Sequence, residues 1–339
     1  MVSFVFKKIG RATSWIGLVV ALLLVVGCGR KAPETDQTAQ GLTKVRFQTD
    51  WFPQPEHGGY YQAKARGFYA EEGLDVELVP GGPNAQVMTG VATGRAHLGM
   101  TNGDDVMVAV SRGVPLKMVA AEMQRDAQGI LFHAENPIRS LKDLDGKTIM
   151  AGAGSAWLQL VQEKYGIKFN LRPLVGDISR FLQDKTYLQQ CFVTNEPFFV
   201  RQRGVEVGAL LIAHPGYEPY RVIFTSEGYL ARNPEIVRRF VRATIRGWID
   251  YLTGDPTPGN TLIQMLRPDL PPEFFEFSIR SMKDYQLVLG DPTRGEKAGQ
   301  LTRERIETQL KMLHELKILE RELTLEDVAR LDFLPPEAR

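Results

Sequence analysis

Between Val45 and Ala121 the apolar residues change period repeatedly, and that alternation leaves few folds open. Val45-Arg46-Phe47-Gln48-Thr49 alternates apolar and polar as a half-buried strand does, whereas Tyr60, Ala63, Gly67 and Phe68 recur at helical spacing between Gly59 and Glu72. Val76 to Val79 reads as a second strand, and Asn84 as the cap of a helix carrying Val87, Met88 and Val91. A third strand follows from Ala96 to Met100, a helix from Asp104 to Val110 and a fourth strand from Leu116 to Ala121. Repeated βαβ units require a mainly parallel sheet with helices on both faces, so the fold class is α/β. In such sheets crevices open beyond the carboxyl ends of the strands, here Thr49-Asp50-Trp51 and Thr101-Asn102-Gly103.

A second unit opens near Asn136-Pro137. Ser140 to Lys147 leads into a strand, Thr148-Ile149-Met150, then a turn, Gly152-Ala153-Gly154-Ser155, and a helix reaching Tyr165. Mixed strand and helix continue to about Ile212. From Pro234 the pattern is helical, with expected helices over Ile236 to Leu252, Pro272 to Leu287, Arg303 to Leu319 and Leu325 to Leu331. The length is enough for two compact lobes.

The first thirty residues carry an address. Lys7, Lys8 and Arg11 precede an apolar run from Trp15 to Val26, which is short for a permanent membrane helix and matches an export signal. Its end, Val25-Val26-Gly27-Cys28, resembles the bacterial lipobox, in which the cysteine becomes the diacylated first residue. A chance cysteine after an ordinary signal or membrane helix is the alternative. The expectation is therefore a signal peptide over 1–27 and a flexible, polar tether over 28–42. The mature chain would sit in the cell envelope, outside the cytoplasmic membrane and lipid-anchored through Cys28. Of two cysteines only Cys191 then remains, so no intrachain disulfide forms. Lys and Arg number 41 against 40 Asp and Glu, a balance that offers no field to attract nucleic acid.

A set of short motifs goes further. Asp50-Trp51-Phe52-Pro53-Gln54-Pro55-Glu56-His57-Gly58-Gly59, Arg66-Gly67-Phe68-Tyr69, Gly94-Arg95-Ala96-His97-Leu98-Gly99 and Thr194-Asn195-Glu196-Pro197 together resemble the thiamine-pyrimidine and alkanesulfonate-type substrate-binding proteins of ABC importers. The resemblance runs from about Lys44 to about Tyr251. It implies a two-lobed periplasmic-binding-protein fold of type II, its lobes joined by two crossover segments, with a helical C-terminal tail. Lobe 1 would comprise 43–134 plus 221–339, and lobe 2 would comprise 135–220. The implied partners are a small-molecule solute held in the interlobe cleft and an ABC permease in the cytoplasmic membrane. The chain is expected to act as a monomer, without a cofactor or metal.

Trp51 follows the first strand and can offer a ring face to a flat solute, or pack into its lobe. Gln54 and His57 belong to the same motif, and the imidazole could bond a solute or serve as a helix cap. Asn102 ends the third strand. The Gly154-Ser155 turn exposes N–H groups at the positive end of a helix, a receptor for an anion, although Ser155 could simply cap that helix. Trp157, one turn on, could form a second ring wall or pack beneath. Asn195 and Glu196 belong to the family segment that approaches the cleft; the carboxylate could accept from an amino group or cap the following helix. Cys191 reads as a buried apolar residue and Tyr187 as a weaker candidate.

An enzyme of the same fold in eukaryotes makes the thiamine pyrimidine from pyridoxal phosphate and a histidine, and this chain departs from it. Arg66 stands where that enzyme's motif has a lysine, and a guanidinium cannot form a Schiff base. The cysteine-rich motif is missing. His97, His133, His214 and His314 lack metal-ligand spacing, and no catalytic residue is assigned. Thiamine-precursor pyrimidines lead as the solute, with riboflavin-like molecules, sulfonates and nitrate as alternatives; a ligand sensor for a membrane kinase would use the same residues.

Overall fold

The structure, a computed structural model, describes residues 37–334 except 40, 84, 175–177 and 215. The signal peptide, Cys28 and the Asn84 cap lie outside the described residues. At the end of the expected tether the Thr38 N–H donates to the Leu42 carbonyl at 2.9 Å, turning the chain back on the first strand.

Among the described residues ten strands form two sheets. The first contains β1 (Thr43–Gln48), β2 (Leu74–Val79), β3 (Leu98–Asn102), β4 (Leu116–Met123) and β10 (Arg221–Ser226), in the order β2-β1-β3-β10-β4. The second contains β5 (Gln128–His133), β6 (Thr148–Ala151), β7 (Asn170–Pro173), β8 (Leu188–Phe192) and β9 (Val207–Leu211), in the order β7-β6-β8-β5-β9. Both sheets are mainly parallel with one antiparallel strand in the fourth place. In the first that strand is β10, paired with β3 and β4, and in the second it is β5, paired with β8 and β9. Each of these strands has just crossed from the other sheet. The two connections run from Met123 to Gln128 and from Leu211 to Arg221.

The expected lobe boundary near residue 134 therefore falls late, because β5 already bonds within the second sheet. The Asn136-Pro137 turn is the stronger local signal, yet the chain changes sheets at Gln124-Arg125-Asp126, a polar interruption in an otherwise apolar run. β10 was also not anticipated. Its apolar core, Val222-Ile223-Phe224, lies where strand and buried helix cannot be told apart by period.

Helices cover the sheets: α1 (Gly58–Ala65), α2 (Phe68–Glu71), α3 (Val87–Ala92) and α4 (Gly103–Ser111) before the first crossover, then α5 (Ala156–Tyr165), α6 (Ser179–Gln183) and α7 (Glu196–Gln202). After β10 come α8 (Glu227–Arg232), α9 (Pro234–Thr253), α10 (Thr257–Leu266), α11 (Pro272–Asp284), α12 (Arg303–Glu315) and α13 (Leu325–Val328). The single helix expected over Gly59 to Glu72 is broken at Gly67, whose φ of 76° is left-handed and turns the chain between α1 and α2. α10 was hidden by Pro256, Pro258 and Gly259. Prolines are tolerated in a first helical turn, where the N–H has no partner to lose.

The long helix α9 shows how the first lobe is held. Val237, Phe240, Val241, Thr244, Trp248 and Tyr251 are all buried along one face, the spacing of an amphipathic helix. Phe240 packs on Phe47 of β1, ring centroids 5.1 Å apart, and stacks on Tyr69 at 5.4 Å. Such buried rings contribute about 1.5–3 kcal/mol each. Among the described residues no helix is long and apolar enough to cross a membrane.

Candidate functional site

Carboxyl ends of parallel strands and the amino ends of the antiparallel β10 and β5 meet at a cavity of about 220 Å³. The first lobe supplies Asp50, Trp51, Gln54, Thr101, Asn102, Asp105 and Arg221; the second supplies Ser155, Gln190, Phe192, Asn195 and Glu196. Of the residues expected from sequence, Trp51, Gln54, Asn102, Ser155, Asn195 and Glu196 are brought together here. His57, Gly154 and Trp157 are not among its lining residues.

Each of those three has a physical reason. His57 ends a short turn of 3₁₀ helix and is 1% exposed; its Nε2 stands 3.6 Å from Asp50 Oδ1, so it backs Asp50 instead of facing the cavity. Gly154 has a φ of 89° in an exposed turn and only shapes the entry to α5. Trp157 is 3% exposed and belongs to the apolar core under α5. The second ring bordering the cavity is Phe192, at the end of β8.

Charge is organised around Arg221, itself 1% exposed at the start of β10. Its guanidinium pairs with Asp50 through Nη2, bonds Asn102 Oδ1 at 3.0 Å and Glu122 Oε2 at 3.3 Å, and lies 3.9 Å from Asp126 Oδ1. It also sits over the Phe192 ring, 5.0 Å from the centroid. Burial alone would raise the Asp50 carboxyl, but Arg221 and His57 hold it below the ordinary carboxylate range. Burial wins at Glu122, pushed up to about 8, and at Asp126, pushed up to about 6, although Arg221 opposes both. One cation thus faces three acidic groups, and three of its five N–H donors are already bonded, to Glu122, Asn102 and Asp50.

The helix N-terminus expected to receive an anion is already taken. The Ala156 N–H at the start of α5 donates to Asp105 Oδ1, reaching across from α4, at 3.0 Å. Ser155 occupies the cap position without a side-chain bond to its own helix. Burial, and the neighbouring Asp104, push the Asp105 carboxyl up to about 7. Glu196 is pushed to about 7 by burial, and its Oε2 accepts from the Phe192 N–H at 2.8 Å.

Other bonds join the two lobes at the cleft. Asn195 Nδ2 donates to Gln54 Oε1 at 2.8 Å, and Thr194 Oγ1 bonds Glu56 Oε1. Gln128, the first residue of β5, bonds Asp126 through its own N–H and Nε2 at 3.0 and 3.1 Å, while its buried Oε1 accepts no hydrogen bond among the described residues. Gln190 Oε1 accepts from the Gly152 N–H at 2.9 Å. Sequence reasoning did not single out Arg221, Asp105, Gln128, Gln190 or Phe192. An arginine opening an apolar strand and an Asp-Asp pair opening an apolar helix were the available signals.

The residues weighed for other chemistry lie elsewhere or are muted. Arg66 Nε pairs with Asp250 Oδ2 at 2.9 Å on α9. Cys191 is buried, and burial raises its thiol well above the ordinary value, the reverse of a reactive cysteine. Among the described residues no group of three potential metal ligands occurs.

Comparison with known proteins agrees with this architecture. The riboflavin-binding protein RibY of Chloroflexus aurantiacus is 28% identical over 289 residues, covering 79% of this chain and 78% of the relative. A formylaminopyrimidine-binding protein of Halalkalibacterium halodurans is 24% identical over 259 residues, covering 71% and 75%. In fold, the chain is similar to the alkanesulfonate-binding protein SsuA from Xanthomonas axonopodis pv. citri bound to MOPS, with a TM-score of 0.63, 15% identity, and coverage of 85% of this chain and 98% of that one. A family model described as NMT1/THI5 like matches residues 54–257, more than half of the sequence, and the chain belongs to that family.

Proposed function

We propose that this protein is the solute receptor of an ABC importer and takes a small heteroaromatic molecule bearing amino groups, a thiamine-precursor pyrimidine first among them. The observation that carries the reading is the cavity's lining: an aromatic face at Trp51 beside Asp50, Asp105 and Glu196, with Arg221, already paired with Asp50 and Glu122, the one cation among the described lining residues. Amino groups of a stacked ring would find acceptors there, and charge-assisted bonds are about twice as strong as neutral ones. A sulfonate or nitrate would meet carboxylates instead, and the helix N-terminus that could receive it is bonded to Asp105. A volume of about 220 Å³ lies below the range of roughly 300–1,000 Å³ usual for drug-sized ligands, which favours a pyrimidine over a flavin. The names of the two binding-protein relatives point to the same pair of ring systems.

Binding, with no bond made or broken, is the work the residues fit. The two sheets act as lobes that close on the solute by rotation at the two crossovers, and the closed form is presented to a permease in the cytoplasmic membrane. The chain works as a monomer outside that membrane, lipid-anchored through Cys28 after removal of 1–27. Calorimetry with formylaminopyrimidine, riboflavin and an alkanesulfonate tests the solute. Preference for the sulfonate would overturn the reading, and absence of acyl chains on Cys28 by mass spectrometry would overturn the anchor.

A further inference from the structure

Arg305, in the first turn of α12, belongs to none of the elements that line the cleft, yet it bonds both connections between the lobes. Its Nε donates to the Glu218 carbonyl at 2.8 Å, and its Nη2 donates to the Gln124 carbonyl. Gln124 lies in the first crossover and Glu218 in the second. The guanidinium also lies over the ring of Tyr220, another second-crossover residue, 3.7 Å from its centroid. One planar side chain from the C-terminal region therefore spans the two segments that must move when lobes rotate.

Ion pairs frame this contact. Arg125 of the first crossover pairs with Glu218 at 3.5 Å and with Glu296 at 2.9 Å, while Arg294 grips Glu218 through both terminal nitrogens at 2.6 and 2.8 Å. Behind them is a cavity of about 460 Å³ bordered by Gln124, Tyr217, Tyr220, Arg305, Gln309 and Met312, none of which borders the cleft. Close-packed interiors resist rotation, so open space beside both crossovers gives them room to move. The fork's acceptors are main-chain carbonyls in two different crossovers, and it spans both only while they hold one spacing.

We propose that Arg305 is a positioning residue for solute binding: by clasping both crossovers it favours the state in which the lobes touch. In the structure that state and the clasp coexist, since Gln54 meets Asn195 and Asp105 meets Ala156 across the cleft. A receptor whose binding-competent state is less populated binds more weakly by the same factor. Losing the clasp therefore weakens solute binding from outside the cleft.

The test reads lobe separation without solute, so its outcome does not depend on which solute is bound. Spin labels on Asp75→Cys in β2 and Arg172→Cys in β7, both exposed and one in each sheet, report the distance in the full chain carrying Cys28→Ser. Arg305→Lys and Arg305→Ala are expected to lengthen and broaden that distance. Affinity for formylaminopyrimidine, an arm that does rest on the proposed function, should fall about two- to thirty-fold in both Arg305 variants. If Arg305→Ala does not fold, Arg305→Lys carries the test, because it keeps the charge and loses only the fork. A distance distribution identical to the parent's in a folded Arg305 variant overturns the proposal.

Discussion

Trp51 and Glu196 are the residues on which solute choice should turn. Trp51 is half-buried, with Phe52 set edge-on at 5.6 Å, so its indole is fixed in place before any solute arrives. Trp51→Ala removes that face and its buried area, and should cost an aromatic solute roughly 2–4 kcal/mol, about thirty-fold to near a thousand-fold in affinity. Glu196→Gln keeps the shape and loses an acceptor that is charged above about pH 7, so at pH 8 it should weaken aminopyrimidines while leaving ring systems without amino donors nearly unaffected. Calorimetry on both variants separates the cases; equal affinity for every aromatic solute in Trp51→Ala would rule out stacking. Six of the nine expected contacts reach the cavity because motif and strand end marked them together. His57 and Trp157 did not, for a reason a sequence hides: a polar ring can be spent on backing a neighbour, as His57 backs Asp50, and an indole on a helix's first turn can point inward. Arg221 was invisible because its partners, Asp50, Asn102, Glu122 and Asp126, come from distant parts of the chain.

At the scale of elements, the contact between α1 and α9 depends on small residues. A Cβ added at Gly247 would stand 2.3 Å from the Gly59 carbonyl oxygen and 2.6 Å from Ala63 Cβ, and one at Gly59 would strike the Trp248 ring at 2.2 Å. The helices cross at a distance only glycine permits. Gly247→Ala should therefore destabilise by about 1–3 kcal/mol through overpacking, even though alanine is the better helix former. Because α1 follows the turn that carries Gln54, Glu56 and His57, solute affinity should fall in parallel. Chemical denaturation checks the first effect, and a variant as stable as the parent would contradict the close approach. Periodicity located α9 and α12 well because long amphipathic helices repeat their signal many times. It failed at Gly67 and at β10, where a single left-handed glycine or a short apolar run decides the path.

For the whole molecule, the contacts that join the lobes contain titratable acids. Glu56, from the first lobe, bonds Thr194 of the second, and burial with help from Glu196 pushes its carboxyl up to about 7. Asp105 and Glu196 stand at about 7, and Glu122 at about 8, against ordinary values of 3.8 for aspartate and 4.5 for glutamate. Between those ordinary values and 7 to 8 the folded protein keeps protons that the unfolded chain has released. Stability from these groups is thus fully present below about pH 4 and declines as pH rises through 7 to 8. Asp50 acts oppositely: its carboxyl is held below the ordinary range, so its stabilisation is present above 3.8 and is lost only in stronger acid. The two trends leave the maximum on the mildly acidic side. The melting temperature should be higher at pH 5.5 than at pH 8.5, and each kcal/mol of difference corresponds to about 2–4 °C for a chain of a few hundred residues. Glu56→Gln, which can still accept from Thr194 and no longer titrates, should narrow that gap. A melting temperature that is level or rising from pH 5.5 to 8.5 would show that these carboxylates are ionised at little cost, and the cleft would then be more open to water than its geometry indicates.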